Sequence, residues 1–527
     1  MNHIELFAGC GGLSLGLEAA GFELLMANEI SPMASETFAY NLLDEDLASK
    51  AEGGERVKNV LWIKSNYPDL KRRLREDPFT FPKQTDAGFS DFPTAPECLK
   101  GKLVVGSVVE LNRLLESDKE LLGGLRRGFD SEGGLDLVSG GPPCQSFSMA
   151  GLRERHSDKN SLPWEFAKFV ELTKPKVALL ENVTGILRAF SGDDGTKYHA
   201  WYEVAKAFAL IGYIPLCLHV NAKFTGVPQN RPRFILIAVR EDYFRYLKLD
   251  LALERPASER LFHQSLEFFN LVKKNGGALE FGHLNYFDVQ KEEHKSFFED
   301  TFLGPLVGSF PVSVKAAIDD LKGVKVKQSG YVKELNKLFA DVTPRVREVH
   351  NHELRRHYQV VRRRFRIYQV LQYCDSKAVA KEIISLLRGD ISELSSDSWS
   401  LLERCKFLHD NGKLEAFTCK RSLEQYLRKH KTKKQTQKAL EPNLPAPASL
   451  SIPDDACHYD EGELRVLTVR EMARIQSFPD SFVFRSKVTT GGQMRKFEVP
   501  QYTQVGNAVP PLLGFALGKV VEALLKG

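Results

Sequence analysis

Asp136-Leu137-Val138-Ser139-Gly140-Gly141-Pro142-Pro143-Cys144-Gln145-Ser146-Phe147-Ser148 changes character within a few residues. It opens as a short apolar strand, and Gly140-Gly141-Pro142-Pro143 then stops any helix or strand from continuing. Downstream, a helical stretch over 164–173 leads into Val177-Ala178-Leu179-Leu180, which offers no polar face at all. Strands of this kind are buried on both sides and belong to parallel sheets covered by helices. Upstream the same alternation holds: a strand at 3–7, a glycine-rich turn, a helix, a strand at 24–27 ending in Asn28-Glu29, and another at 103–106. Phe234-Ile235-Leu236-Ile237-Ala238-Val239 is the last clear buried strand. The pattern predicts an α/β fold built on a doubly wound, mostly parallel sheet.

The chain of 527 residues is too long for one core. Its hydrophobic (43%) and charged (27%) fractions are those of a globular protein. Eight cysteines lie scattered, with no spacing that suggests zinc or a disulfide framework, so reduced thiols in the cytoplasm and no metal are expected. The first residues read as a strand rather than a signal peptide, and no uncharged apolar run reaches the ~18 residues of a membrane span. The net charge of +5 is unevenly spread: residues 343–440 hold 22 Lys and Arg against 11 Asp and Glu, an excess of 11 that leaves −6 elsewhere. A basic block on a mildly acidic body suggests a polyanion partner, although such runs are also common as solvated faces.

Four constellations carry chemistry. Phe7-Ala8-Gly9-Cys10-Gly11-Gly12 follows the first strand and opens a helix, so its backbone N–H groups are free for an anionic ligand, and Glu29 at the end of the second strand is placed for a ribose diol. S-adenosylmethionine, nicotinamide and flavin dinucleotides, and a bare tight turn all fit that spelling. Cys144, after two prolines at the carboxyl end of a strand, is on a constrained turn suited to a thiolate nucleophile. Glu181 of Glu181-Asn182-Val183 ends the next strand on the same edge, where a carboxyl group can hydrogen-bond or protonate a ring nitrogen. Gln229-Asn230-Arg231-Pro232-Arg233 sets two guanidinium groups on one face, suited to phosphate or carbonyl oxygen.

In this order, the four elements closely resemble the DNA (cytosine-5)-methyltransferase family of bacterial restriction–modification type. Arg470-Glu471-Met472-Ala473-Arg474-Ile475-Gln476-Ser477-Phe478-Pro479 and Gln504-Val505-Gly506-Asn507-Ala508-Val509-Pro510-Pro511 resemble its late motifs. The likeness spans 1–42, 101–240 and 455–527, about half the chain. It implies a Rossmann-like fold that binds S-adenosyl-L-methionine, with a second, smaller target-recognition domain. It further implies that Cys144 attacks C6 of a flipped-out cytosine, Glu181 binds N3, and Arg233 with Arg231 fixes the base or its backbone. Phe7 would stack on the adenine, with Gly9, Cys10, Gly11 and Gly12 at the methionine end and Glu29 on the ribose. Ile30, Ser107, Pro142, Asn507 and Val509 would complete the pocket. Ser107 stands where the family usually has an aspartate that accepts from the adenine amino group. Residues 470–479 would brace the recognition region against the body, and the loop 145–151 would close over the site.

The domains expected are a catalytic region at 1–240 with an insertion at 43–100, a recognition region at 241–464, and a return to the catalytic domain at 465–527. Within the second, 241–308 reads as an insertion and 343–450 as the basic reader, its arginines between Arg345 and Arg366 on phosphates and 429–451 a flexible linker. The implied partners are double-stranded DNA and a cognate restriction endonuclease acting on the same site. A monomer in the cytoplasm, associated with the nucleoid and free of membrane, is expected. The rivals are a tRNA cytosine-5 methyltransferase and an inactive DNA-binding relative. A nicotinamide dehydrogenase would explain only the glycine-rich turn.

Overall fold

β1 (Asn2–Leu6) is buried along its whole length, as a central strand with helices on both faces must be. The computed structural model describes residues 1–143, 162–191, 197–254, 256–323, 326–344, 348–374, 376–430, 438–448 and 451–526. Eight further strands join β1 in one sheet: β2 (Glu23–Glu29), β3 (Val60–Trp62), β4 (Lys102–Val105), β5 (Leu137–Gly140), β6 (Val177–Val183), β7 (Tyr213–Asn221), β8 (Pro232–Arg240) and β9 (Phe287–Asp288). Their order is β9-β7-β8-β6-β5-β1-β2-β4-β3. β8 runs antiparallel to both its neighbours, β6 and β7, and all the other pairings are parallel. The chain winds outward from β1 through β2, returns to β5 on the other side, and so leaves a switch point between β1 and β5. Open α/β sheets place their ligands outside the carboxyl ends of strands at such a point.

The helices used below are α1 (Gly12–Ala19), α2 (Pro32–Leu42), α3 (Val108–Ser117), α4 (Leu162–Thr173), α5 (Ala200–Leu210), α6 (Glu241–Glu254), α7 (Pro256–Asn275), α8 (Val314–Ile318), α9 (Gln359–Tyr373), α10 (Lys377–Arg388), α11 (Lys420–Lys429), α12 (Val469–Ile475), α13 (Gln501–Asn507) and α14 (Pro511–Leu525). The last lies against the first. A Cβ on Gly16 would stand 2.4–2.5 Å from Phe515 N, Pro511 O and Gly514 C, and one on Gly518 would stand 2.5 Å from Ala20 Cβ. Glycine is used here because the two backbones meet. No single helix among the described residues is long and apolar enough to cross a membrane.

Three segments differ from their sequence reading. Residues 43–100 supply edge strand β3, and Trp62 is fully buried there, so this polar stretch extends the sheet. Residues 241–308 also belong to the body: α6 and α7 share its hydrophobic core, and β9 pairs with β7. Within 429–451, Lys438–Ala439 pairs with Ala456–Cys457 and Ala446–Pro447 pairs with Gln229–Asn230, so the middle of that segment is fastened at two points, while 431–437 and 449–450 lie outside the described residues. Between these lies a small helical unit with its own core, where Ile367 and Val370 of α9 meet Ile383 and Leu387 of α10 and Leu423 and Leu427 of α11.

Gly16→Val should destabilise the body by at least ~1–3 kcal/mol, because the added atoms overlap backbone that cannot yield. Gly277→Ala, with open space around its Cβ, should leave the denaturation midpoint near that of the parent in the same urea titration. Equal midpoints for the two variants would refute the close α1–α14 contact.

Candidate functional site

Immediately after β1, Phe7 adopts φ 55°, a left-handed conformation that costs a non-glycine residue ~1–2 kcal/mol. Gly9 follows at φ 56°, and a Cβ there would meet no atom within 4 Å. Glu29, at the end of β2, spans the gap: one carboxylate oxygen accepts from Gly9 N at 2.8 Å and the other from Ser31 N at 2.8 Å. Burial pushes this carboxyl above its ordinary range, against the opposing pull of the two backbone donors. The next two glycines serve packing. A Cβ on Gly11 would strike Leu42 and Phe38, and one on Gly12 would stand 2.3 Å from Val509 O. Cys10 is buried, with its thiol 3.7 Å from Gln504 O, and burial holds that thiol far above the usual range.

Half-exposed Phe7, Gly9, Ile30, Ser107 and Gly141 form a row along the carboxyl ends of β1, β2, β4 and β5, with Pro142 buried beside them. Val509 is half-buried and Asn507 exposed. Ser107 caps α3, its hydroxyl accepting from Val109 N at 3.2 Å. Asn112, one helical turn further on, donates to the Glu165 carbonyl and carboxylate. The row fits a nucleoside-bearing cofactor: an aromatic face, a carboxylate for hydroxyl groups and an open backbone cradle.

Gly140 pairs with Leu180, which puts Glu181 beside Gly141. The Glu181 carboxylate lies 3.1 Å from where a Gly141 Cβ would be. On β8, Ile235 faces Glu181 and Arg233 faces Val183, so the two charged side chains are diagonal neighbours on one face. Arg233 Nε and Glu181 Oε1 form a buried ion pair at 2.6 Å. On the opposite face, Asn182 Nδ2 donates to Pro142 O at 3.1 Å and so holds the strand end that leads to Cys144. Cys144 itself, the loop 145–151 and Arg345 lie outside the described residues.

Arg231 is used differently from the sequence expectation of a base or phosphate contact. Its guanidinium donates to Gly506 O at 2.8 Å and Ala508 O at 3.0 Å, fastening the closing motif to β8. Buried Arg470 donates to the carbonyls of His350, Pro479 and Phe482, while Arg474 pairs with Asp320 and Asp480. α12 therefore joins the segments at 320, 350 and 480. The predicted capping box is present, with Thr468 and Glu471 each accepting from the other's backbone N–H.

Glu5 escaped the sequence reading. It sits within β1, fully buried, and accepts from the Ser14 hydroxyl. Its place inside an apolar strand was the available signal, since a buried acid needs a partner or a proton. Gln504 is a second hub: it accepts from Thr37 and donates to the carbonyls of Met33 and Val499.

The sequence matches the profile of C-5 cytosine-specific DNA methylases over residues 1–56 and 126–523. Type II methyltransferase M.DdeI from Desulfomicrobium norvegicum is 25% identical over 99% of this chain and 88% of its own. Type II methyltransferase M1.HphI from Haemophilus parahaemolyticus is 25% identical over 100% and 87%. A crystal structure of a putative prophage-encoded DNA modification methyltransferase from E. coli shares the fold, at a TM-score of 0.50 and 19% identity with full coverage of both chains. Fold and edge together are those of an α/β methyltransferase. The chain belongs to the C-5 cytosine-specific DNA methylase family, and it is a DNA cytosine-5 methyltransferase.

Burial raises the Glu5 carboxyl from 4.5 to about 8. Between those values the unfolded chain has lost this proton and the folded chain still holds it, so stability falls as pH rises through that window. Glu5→Gln keeps an acceptor for Ser14 and should flatten that fall, gaining most over the parent above pH 8. Parallel melting curves from pH 4.5 to pH 9 test it, and superimposable pH dependences would refute it.

Proposed function

We propose that this enzyme methylates C5 of a flipped-out cytosine in duplex DNA through a covalent adduct between Cys144 and C6. The observation that carries the proposal is the Glu181–Arg233 pair beside Gly141, on the same sheet edge as the Phe7, Gly9 and Glu29 cradle. In the reaction proposed, the Cys144 thiolate bonds to C6 and the ring's electron pair shifts toward C5, which becomes enamine-like. Glu181 hydrogen-bonds N3 and stabilises that change, and Arg233 keeps its carboxylate oriented. S-adenosylmethionine, when bound, supplies a methyl group on a sulfonium, whose leaving group is a neutral thioether. Loss of the C5 proton and elimination of the thiolate then restore the ring.

Phe7 and Ile30 flank the adenine in this reading, Glu29 holds the ribose, and the backbone from Gly9 faces the methionine end. Pro142 lines the cradle, while Val509 and Asn507 close it from the carboxyl-terminal side. A stacked cytosine cannot offer C6 to a thiol, so the base leaves the helix at a cost of a few kcal/mol. The helical unit at 359–430 reads the target site. Restriction–modification is the context, with a cognate endonuclease cutting the same unmethylated site and both proteins working in the cytoplasm on nucleoid DNA. The type II names of the relatives support that context.

Cys144→Ser should abolish methyl transfer while leaving S-adenosylmethionine binding near that of the parent, and duplex carrying 5-fluorocytosine should trap the parent covalently. Normal turnover by the serine variant would end the covalent reading. Ser107→Asp should bind the cofactor about fivefold more tightly, because a charged acceptor adds ~1 kcal/mol over a neutral one. Aspartate preserves the cap on α3, so calorimetry reads the adenine contact alone, and unchanged affinity would show that Ser107 does not face the adenine.

A further inference from the structure

Five of the arginines that lead into and begin α9 fall into two groups. Arg363 is ion-paired with Asp410. Arg366 is buried, donating to Lys406 O at 2.7 Å and lying 3.2 Å from Glu461. Both are spent inside the protein. Arg355, Arg356 and Arg364 instead line one cavity of about 280 Å³, together with His357, Phe365 and Asp454. None of these three arginines has an ion-pair or hydrogen-bond partner among the described residues, and Arg364 Nε is buried without one.

Three arginines share that lining with a single carboxylate residue, Asp454. The start of α9 adds to the positive field: Tyr358 at its N-cap gives no side-chain cap, and its first turn holds no acidic residue. Tyr358 is itself 85% exposed. Phe365 forms an apolar floor that strengthens the pull on any anion above it. Burial, and then Arg355, hold the His357 ring below the usual histidine range. The cavity lies where the chain enters the reader, just after His352 is fastened to Thr468 and Leu321 of the body.

We infer that this cavity grips one backbone phosphodiester of the DNA duplex and so sets the position of the reader on its substrate. The inference rests on duplex DNA being the substrate. Three forked donors suit a tetrahedral oxoanion, and a phosphate contact fixes register without reading sequence. The sequence reading of the arginines between Arg345 and Arg366 as phosphate contacts is thereby divided: Arg364 faces the ligand, while Arg363 braces the fold.

The test is binding of a fluorescein-labelled, mixed-sequence duplex across a salt series. Each phosphate that the protein neutralises contributes about 0.9 to the slope of log affinity against log salt. Replacing Arg355, Arg356 and Arg364 together by Gln should lower that slope by about 0.9, the share of one phosphate. Arg363→Gln should leave the slope unchanged, and Asp454→Asn should tighten binding. On the unmodified protein, a methylphosphonate scan of the duplex should find one phosphate whose neutralisation weakens binding, and the same change should cost the triple variant nothing more. A parent that binds and methylates duplex while the scan finds no such phosphate, or while the folded triple variant keeps its slope, overturns the inference alone. A parent that binds labelled transfer RNA in preference, and methylates it instead of duplex, overturns the DNA reading and this inference with it.

Discussion

The contact between the first and last helices governs the rest of this molecule. α1 and α14 approach until backbone meets backbone, which Gly16 and Gly518 permit because any side chain there would occupy filled space. That approach carries Val509 onto Gly12 and brings α13 close enough for Gln504 to bind the start of α2. Arg231 then fastens the same returning segment to β8 through the carbonyls of Gly506 and Ala508. This carboxyl edge of the sheet is therefore assembled from segments at 7–30 and 504–525, and its geometry is only as firm as the helix contact beneath it.

Buried charge fixes the remaining joints. Arg233 with Glu181, Arg474 with Asp320 and Asp480, and Arg465 with Glu471 each sit in low-dielectric surroundings with their partners in place. Such pairs add little over a well-packed apolar substitute, but losing one partner strands a charge and costs ~3–5 kcal/mol. They work as locators. Each defines one position for the segments it joins, and penalises every other.

Much of this was legible in the sequence because it is local. β5, β6 and β8 are short, largely apolar runs, and the Thr468–Glu471 box announces α12. β7 is buried throughout but contains Pro215, His219 and Asn221, residues that argue against a central strand. β3 and β9 contain three and two residues, too few for any periodicity, and exist because a neighbouring strand offers an edge. At the site, the residue types were readable and their assignments were not. That Gly9 alone of the three glycines leaves open space depends on Phe38, Leu42 and Val509, which arrive from elsewhere in the chain. The separate fates of Arg231, Arg233 and Arg363 likewise depend on partners distant in sequence.

The dependence of α1 on α14 also sets an order of events in a growing polypeptide. Domains made on a ribosome tend to fold from the amino terminus as each is completed. Here the first helix cannot cover its inner face until residues 511–525 have been made, hundreds of peptide bonds later. The small helical unit at 359–430, with a core of its own, is synthesised in the interval. A nascent chain therefore carries this helical unit before α14 is there to cover α1.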